Sequence, residues 1–343
     1  DAFEKLELMI SVDLYLNETT RHADVILPVP SQLQRDHYDV LLLQFAIRNV
    51  ANYSTPVLSL DDGQPDEWEI LAKLGMIAQG LGPDADPHLA DDLAIEGLVR
   101  NSIGDPSSPI HGRNADEIID ALNADGRRGP ARMLDFMLQT GPYGAGFGTN
   151  AGGASLQLLL DNPHGVDFGA LESRLPDALR TRTGMIELAP EPLLADVPRL
   201  LDSIDEFTKN RFVLVGRRHL KTNNSWMHNI QVLVKGNVRC SLQMHTDDAK
   251  SLDLIDDSND EVFVTVTSRV GSVVVSVEIS EDIRPGVVSL PHGWGHDHPG
   301  TRMRIAESLS GVNSNILSDH EAMDPLSGTS VLNGIPVSIA KIG

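Results

Sequence analysis

The sequence predicts an α/β region followed by a β region that closes into a barrel. Between Leu6 and Pro30 an apolar strand, a short helix and a second apolar strand follow one another, a pattern typical of a parallel sheet. After about residue 205 the chain changes to short runs rich in β-branched residues, which favour strands. The five runs, enough for a small barrel, cover residues 211–215, 261–266, 272–279, 287–290 and 335–339.

The first region is delimited by turn and cap residues. Its first strand ends near Asp13, a turn lies at Asn17, and a short helix is predicted from Glu18 to Ala23. The second strand, residues 25–27, stops at Pro28, which lacks a backbone donor. A longer helix then begins after Asp66, a candidate N-cap with Glu69 in capping-box spacing. Its apolar face is formed by Trp68, Leu71, Leu74, Ile77 and Ala78.

The middle of the chain is predicted to be irregular. Residues 80–130 are rich in Asp, Pro and Gly around short helical patterns such as 115–124, which indicates a surface excursion. A helix is predicted over 130–138, closed at Gly141. The glycine run at 141–148 follows this helix instead of a strand, so it favours a flexible loop over a phosphate loop. Prolines recurring between 176 and 198 indicate a linker.

Turn-forming residues connect the predicted strands of the β region. Arg269–Gly271 reads as a hairpin connection in which Gly271 supplies a positive φ, and Pro285-Gly286 as a second turn. Thr246 is the expected cap of a brief helix.

Composition excludes several classes of protein. The 343 residues suit two domains or one large one, and the formal charge of −22 argues against nucleic acid or an anionic membrane surface as a partner. The single cysteine, Cys240, is insufficient for a disulfide or an iron–sulfur cluster and is expected in the core. No run of about 18 apolar residues predicts a membrane span. Because the chain opens at Asp1 and reaches a strand almost at once, we expect a fragment whose beginning is missing.

A histidine-rich segment at 292–298 resembles a metal cluster. The spacing of His292 and His296 suits a zinc-binding helix, but the glycines between them and Pro299 disfavour a helix. The sequence therefore predicts no metal ligand here, and it shows no Ser-His-Asp or Cys-His arrangement.

Four motifs, in chain order, carry a family resemblance. They are residues 13–28; Gly216-Arg217-Arg218-His219 with residues 224–229; residues 244–249, 285–288 and 291–296; and residues 311–315 with 324–329. This series resembles the C-terminal half of the molybdopterin oxidoreductases of the dimethyl sulfoxide reductase family, which includes formate dehydrogenases and periplasmic nitrate reductases. The resemblance covers most of the first 80 and last 140 residues.

The resemblance implies a fold, α/β plus β: a partial parallel-sheet α/β dinucleotide-binding region followed by a C-terminal double-psi β-barrel, the molybdopterin dinucleotide-binding domain. Residues 1–80 would be the C-terminal part of an α/β molybdopterin-dinucleotide-binding domain. Residues 81–204 would be a helical and irregular excursion with a Pro-rich linker, and 205–343 the barrel. The implied cofactor is bis(molybdopterin guanine dinucleotide) with molybdenum or tungsten. The metal ligand and any iron–sulfur cluster would belong to a missing N-terminal portion.

Three candidate cofactor contacts lie in the first region. Asp13 follows the first strand, where open α/β sheets bind ligands, with a turn cap as its alternative role. Arg35 matches a basic position facing the nucleotide, although its neighbours depart from the family pattern. Asp66 matches an acidic dinucleotide contact and is equally explained as a helix cap.

The remaining candidates lie in the barrel region. Gly216 lets the backbone approach a ligand, and Arg217 is expected to bind pyrophosphate or pterin oxygen, with a surface arginine as the alternative. The polar cluster around Trp226 suits a pterin ring, although Trp226 alone fits a core. The full set is Gly216, Arg217, Arg218, His219, Asn224, Ser225, Trp226, His228, His292, Trp294, Asn313, Asn315 and Asn333.

The predicted function is therefore the cofactor-binding portion of a molybdenum or tungsten oxidoreductase, formate dehydrogenase-like, whose isolated segment is inactive and whose catalytic residues are unidentified. Its partners would be the cofactor, a small-molecule substrate, and the missing N-terminal portion or a redox partner; the cytoplasm is the default location. A non-enzymatic barrel that binds a small molecule or a partner is the alternative. A hydrolase or decarboxylase on a related barrel, and a non-redox hydratase on the same cofactor cradle, also remain open.

Overall fold

The computed structural model describes residues 2–209, 211–236, 239–255 and 261–342, so Asp1 lies outside the described residues. The chain divides into two compact units. We call Ile10–Leu14 with Val25–Ala178 the helical unit, and Asp1–Met9, Tyr15–Asp24 and Leu179–Gly343 the barrel unit. Within the described residues no helix is both long and apolar enough to cross a membrane.

The strands of the helical unit are short and occur in pairs. The first and second strands pair in parallel, as the pattern before Pro30 predicts, and the other pairs are antiparallel. The strands are β1 (Ile10–Val12), β2 (Val25–Leu27), β3 (His37–Tyr38), β4 (Arg48–Ala51), β5 (Tyr53–Ser54) and β6 (Val166–Ala170).

The helix expected at 18–23 is a single 3-10 turn, Thr20–His22, in the barrel unit. Asn17 makes the predicted turn, because its Oδ1 accepts from the backbone N–H groups of Thr19 and Thr20, each at 3.0 Å. Thr20 is buried, and its hydroxyl donates to the Tyr15 carbonyl at 2.7 Å. These local bonds shorten the helix to one turn.

The helical unit contains five α-helices. The capping box predicted at the first is confirmed, since Asp66 Oδ1 accepts from Glu67 N and Glu69 Oε2 accepts from Asp66 N at 2.7 Å. Gly141 closes the fourth, as predicted. The helices are α1 (Glu67–Ala78), α2 (Pro87–Gly104), α3 (Ala115–Leu122), α4 (Gly129–Thr140) and α5 (Leu156–Leu160).

The segment interpreted as a surface excursion has a core of its own. The 18-residue helix α2 was missed because its apolar residues are spread around its circumference. Asp86 caps it and Pro87 occupies its first turn, so proline begins a helix here instead of breaking one. The buried core consists of Ile95, Val99, Ile110, Ile118, Leu122 and Phe136.

The barrel unit contains six strands and several short helices. The helix α6 (Glu191–Ala195) lies in the segment expected to be a linker, and α7 (Val197–Lys209) begins at its end. The remaining elements are β7 (Phe212–Arg217), α8 (Gln231–Val234), β8 (Ser241–His245), α9 (Thr246–Ser251), β9 (Phe263–Thr267), β10 (Ser272–Ser280), β11 (Val287–Pro291), α10 (Arg304–Glu307) and β12 (Ile335–Lys341).

The six strands close into a barrel in the order β10-β8-β11-β7-β12-β9. Two pairs are parallel, β7 with β11 and β8 with β10, and the other four are antiparallel. The interior is filled by alternating apolar side chains, which is how a small barrel buries its core. The fully buried members include Leu242, Met244, Val264, Val266, Val288 and Leu290.

Three local predictions in the barrel need correction. Strand β7 continues through Arg217 instead of ending at Val215. The cap of α9 is His245, whose Nδ1 accepts from Asp247 N at 3.1 Å, and not Thr246. Gly271 has no positive φ; a Cβ atom there would overlap the Ile316 carbonyl oxygen, so close approach selects glycine.

Two turn predictions agree with the structure. The Arg269–Gly271 hairpin connects the antiparallel strands β9 and β10, and Gly286 has φ +80° in the turn before β11. The glycine run at 141–148 is a loop, as expected.

Candidate functional site

A cleft of about 300 Å³ opens at the carboxyl ends of β7 and β11. The two strands are parallel and in register, with Arg217 opposite Pro291, so the residues that follow them meet at one edge of the barrel. Residues from the turns before β12 complete the lining. The cleft brings together six of the predicted contacts: Gly216, Arg217, Arg218, His292, Asn315 and Asn333.

Arg218, Asn224 and His292 form one hydrogen-bonded group beside this cleft. The Arg218 guanidinium donates to Asn224 Oδ1, and His292 Nε2 lies 2.9 Å from the same oxygen. Burial and the neighbouring Arg218 charge lower the pKa of His292, which keeps its ring uncharged at neutral pH. Arg218 itself is exposed, so it offers a cation to an anionic ligand.

Backbone geometry fixes this group in place. Asn223 and Asn224 adopt left-handed conformations with φ of +40° and +62°, which asparagine tolerates better than most residues. Gly293 has φ +86°, and a Cβ atom there would lie 2.5 Å from the Asn224 carbonyl oxygen. Glycine is therefore required where the 219–230 loop meets the end of β11.

Arg217 is used by the barrel itself. Its guanidinium donates to the Ser289 carbonyl at 2.5 Å and to the Ser241 carbonyl at 2.8 Å, and it lies 3.5 Å from the Glu278 carboxylate. These contacts tie β8, β10 and β11 to β7. The guanidinium that was expected on pyrophosphate thus has internal partners, and Arg218 is the more available of the two cations.

Gly216 and Asn333 are paired with each other. The Gly216 N–H donates to Asn333 Oδ1 at 2.7 Å. Asn313 caps a 3-10 helix, Ser314–Leu317, through a 2.9 Å bond from Asn315 N to its Oδ1. The Asn315 side chain is exposed at the cleft.

A buried aromatic cluster lies in the same unit. His228, Trp294 and His296 are 1, 5 and 2% exposed, and the His228 and Trp294 ring centroids are 4.3 Å apart. His228 Nδ1 lies 2.6 Å from His296 Nε2, and His296 Nδ1 lies 2.9 Å from Glu18 Oε1. Within the described part of the chain, His219 Nδ1, His228 Nε2 and Trp294 Nε1 are buried without a hydrogen-bond partner.

The electrostatics of this cluster favour uncharged rings. Burial, followed by the charges of His296 and His219, lowers the pKa of His228 to about 4, against smaller opposing effects of the Gly293 backbone and Glu18. Burial and Arg217 also lower the pKa of His219. At neutral pH both rings therefore act as neutral hydrogen-bonding groups.

Trp226 is on the surface and not in the core. It is 62% exposed, whereas its neighbour Ser225 is half-buried. An exposed tryptophan beside a polar cleft offers an aromatic face to a ligand or a partner.

Three predicted contacts lie in the helical unit. Arg35 forms an ion pair with Glu67 at the start of α1, where Asp66 is the cap. Burial, then the Asp36 and Glu69 charges, raise the pKa of Asp66. Asp13 follows β1, and its Oδ1 accepts from Leu14 N at 2.6 Å.

The candidate set omitted two partners of this cluster, the half-buried Glu18 and the buried His296. Glu18 lies inside the first family motif, and His296 follows His292 at a spacing that was considered only for zinc. Their contact joins positions 278 apart in sequence. Across the described residues, no group of three or more His, Cys, Asp or Glu side chains is arranged to hold a metal ion.

Comparison with known proteins finds one matching domain model and a similar curated protein. Residues 212–336 match the model of the molydopterin dinucleotide binding domain. The chain is 27% identical over 297 residues to a putative catalytic subunit of dimethyl sulfoxide reductase from Halobacterium salinarum, covering 86% of this chain and 30% of that protein. The barrel segment is therefore similar to a molydopterin dinucleotide binding domain, and most of the chain is similar to part of that putative catalytic subunit.

A solved structure shares the fold. Acetylene hydratase from Pelobacter acetylenicus superimposes with a TM-score of 0.50 at 19% identity, covering 98% of this chain and 40% of that one. The chain thus spans less than half the length of both relatives.

The residues at the cleft fit a pterin dinucleotide. The cofactor carries phosphates and a heterocycle with ring donors and acceptors. The exposed Arg218 suits the phosphates. Outside the cleft lining, the ring nitrogens of His219, His228 and Trp294 are buried hydrogen-bonding groups without a partner among the described residues. Glycine at 293 lets the loop that carries Asn224 pack closely against the end of β11.

Proposed function

We propose that this chain is the cofactor-binding portion of a molybdenum or tungsten enzyme that uses bis(molybdopterin guanine dinucleotide), and that the cleft beside Arg218 receives one dinucleotide. The observation that carries the proposal is the Arg218–Asn224–His292 group. It offers an exposed cation in a chain of net charge −22, inside the segment that matches a dinucleotide-binding domain.

Each side chain at the cleft has a proposed role. Arg218 binds a phosphate, since guanidinium donors pair strongly with phosphate oxygens. Asn224, His292 and Asn315 hydrogen-bond the pterin or ribose, and Trp226 packs an aromatic face on the ligand. The proposed shell is completed by Ser225, His219, His228, Trp294 and Asn313. The cleft wall is supported by Asn333, Gly216 and Arg217.

In the helical unit the proposal assigns a second set of contacts. Asp13, at the carboxyl end of a parallel strand, accepts from guanine N–H groups. Arg35 and Asp66 contact the dinucleotide near the start of α1. A nucleotide there would have to compete with the Arg35–Glu67 ion pair and the Asp66 cap.

The finer fold assignment is also proposed. The two parallel pairs within a closed six-stranded barrel support a double-psi topology. The parallel β1–β2 pair supports an α/β domain over 1–80, with 81–204 as the excursion and linker and 205–343 as the barrel domain.

The bound cofactor would supply the two-electron or oxygen-atom chemistry, and this chain's residues would bind and orient it. The metal ligand and any iron–sulfur cluster are proposed to belong to other parts of a longer protein. A formate dehydrogenase-like activity in the cytoplasm, with a redox partner, remains the proposed context.

Calorimetric titration of the 343-residue chain with molybdopterin guanine dinucleotide, released anaerobically from a purified molybdoenzyme, tests the proposal. Arg218→Gln is expected to weaken binding about tenfold to a hundredfold, because a charge-assisted bond contributes roughly 1.5–3 kcal/mol. Arg284→Gln is the matched control, since Arg284 is exposed, precedes the start of β11 at the end away from the cleft, and is outside the cleft lining. Equal affinities for the two variants would refute the assignment of the cleft.

A further inference from the structure

Glu18, His296 and His228 form a directed hydrogen-bond chain inside the barrel unit. A carboxylate only accepts, so the 2.9 Å contact from Glu18 Oε1 requires the proton of His296 on Nδ1. In a neutral His296 ring Nε2 is then an acceptor, and the 2.6 Å contact requires the proton of His228 on Nδ1. The free nitrogen of His228, Nε2, is consequently an acceptor.

This Nε2 atom lies in a setting that points to a ligand. His228 is 1% exposed, and within the described residues its Nε2 makes no hydrogen bond of normal geometry, although the Gly293 backbone lies near the ring. Buried polar groups in native proteins are almost always paired with protein or water. Trp294 packs against His228 with ring centroids 4.3 Å apart, and its Nε1, which only donates, is also unpartnered. Two contacting rings thus present one acceptor and one donor.

A donor beside an acceptor is the complement of an amide-type edge. Pterin and guanine rings carry such an edge, an N–H next to a carbonyl. A phosphate has no N–H to donate to His228, so it matches the pair less well.

We infer that Glu18 and His296 are positioning residues that hold His228 in its Nδ1–H tautomer, so that His228 Nε2 and Trp294 Nε1 together recognise the amide-type edge of a pterin-like heterocycle. This inference rests on the proposed function and specifies which edge of the ligand the two buried rings hydrogen-bond. The low pKa of His228, about 4, is consistent with a neutral acceptor at neutral pH.

The tautomers are measured directly in the full chain. Long-range ¹H–¹⁵N correlation spectra of histidine-labelled protein at pH 8 are expected to show His228 and His296 each as a single Nδ1–H tautomer, with signals assigned from His228→Gln and His296→Gln. An Nε2–H form of either ring in the wild type, such as a His228 ring that donates to the nearby Gly293 backbone, would overturn the inference, whether or not the variants fold.

Substitution of Glu18 tests whether its carboxylate fixes the tautomers of His296 and His228. In Glu18→Gln the amide can also donate to His296 Nδ1, so both rings are expected to lose their single-tautomer signals. Glu307→Gln, at an exposed carboxylate of the same unit, is the matched control and is expected to leave them unchanged. Unchanged tautomers in Glu18→Gln would contradict the positioning role.

The ligand class is tested with two probes. Pterin carries the amide-type edge, whereas 2,4-diaminopteridine lacks both the ring N–H and the carbonyl. Pterin is expected to shift the His228 Nε2 signal and diaminopteridine is not. Equal shifts, or none, would overturn this assignment of the ligand edge. Binding of the whole dinucleotide through Arg218 is read separately by calorimetry, so the two failures are distinguishable.

Discussion

Gly293 and Asn224 approach so closely that no other residue fits at position 293. A Cβ atom there would lie 2.5 Å from the Asn224 carbonyl oxygen, and φ is +86°. Gly293→Ala is expected to destabilise the protein by about 2 kcal/mol or more, from strain plus the clash. Urea unfolding measures this. Gly300→Ala is the control, because Gly300 also has a positive φ, +92°, but the nearest atom to a Cβ at this position lies 3.8 Å away. An equal loss of stability in both variants would mean that the contact with Asn224 contributes nothing.

His228 predicts a loss of stability in mild acid. Its pKa is about 4 in the folded protein, against about 6.5 in an unfolded chain. Because the folded-state pKa is lowered, the stability that the neutral His228 ring contributes is fully present above pH 6.5 and is lost as the pH falls toward 4. The loss is on the order of 2 kcal/mol by pH 5.

Urea unfolding between pH 7.5 and pH 5 checks this prediction. The wild type is expected to lose more stability over that range than His228→Gln, since both share every other titrating group. His320→Gln, at an exposed histidine, is expected to follow the wild type. Parallel curves for the wild type and His228→Gln would contradict the burial of a neutral ring.

Arg217 and Arg218 are expected to differ sharply in their effect on stability. Arg217→Lys removes donors from the Ser241 and Ser289 carbonyls, which should cost roughly 1–3 kcal/mol because buried acceptors lose their partners. Arg218→Lys, at an exposed side chain, should change stability by less than about 0.5 kcal/mol. Denaturant midpoints compare the two, and a larger loss for Arg218→Lys would reverse the assigned roles.

Trp226 is expected to be dispensable for folding. Because it is 62% exposed, Trp226→Ala should leave the unfolding midpoint nearly unchanged, whereas Trp294→Ala, at 5% exposure, should lose about 3–5 kcal/mol. A large stability loss in Trp226→Ala would place this residue in the core after all.

Local signals in the sequence were sufficient where a few neighbouring residues determine the structure. The Asp66–Glu69 capping box and the Pro285-Gly286 turn are of this kind. Strand β8 was missed because Ser241–His245 alternates buried residues with polar ones that resemble a loop. Five of the six barrel strands were predicted, since these are runs rich in β-branched residues.

The site was less predictable because it depends on orientation and on distant contacts. Neighbouring residues at a strand end point to opposite faces, so Arg217 turns to the barrel and Arg218 remains exposed, which sequence alone does not distinguish. The Glu18–His296 contact spans 278 positions and has no local signature. Likewise, the sequence allowed Trp226 a place in the core, whereas the structure buries Trp294 and exposes Trp226.

The most direct test is a crystal structure of this chain in complex with molybdopterin guanine dinucleotide. We expect a dinucleotide phosphate within hydrogen-bonding distance of the Arg218 guanidinium and a pterin ring near His292 and Asn224. A cofactor whose atoms all lie beyond hydrogen-bonding distance of these three side chains would contradict the central claim.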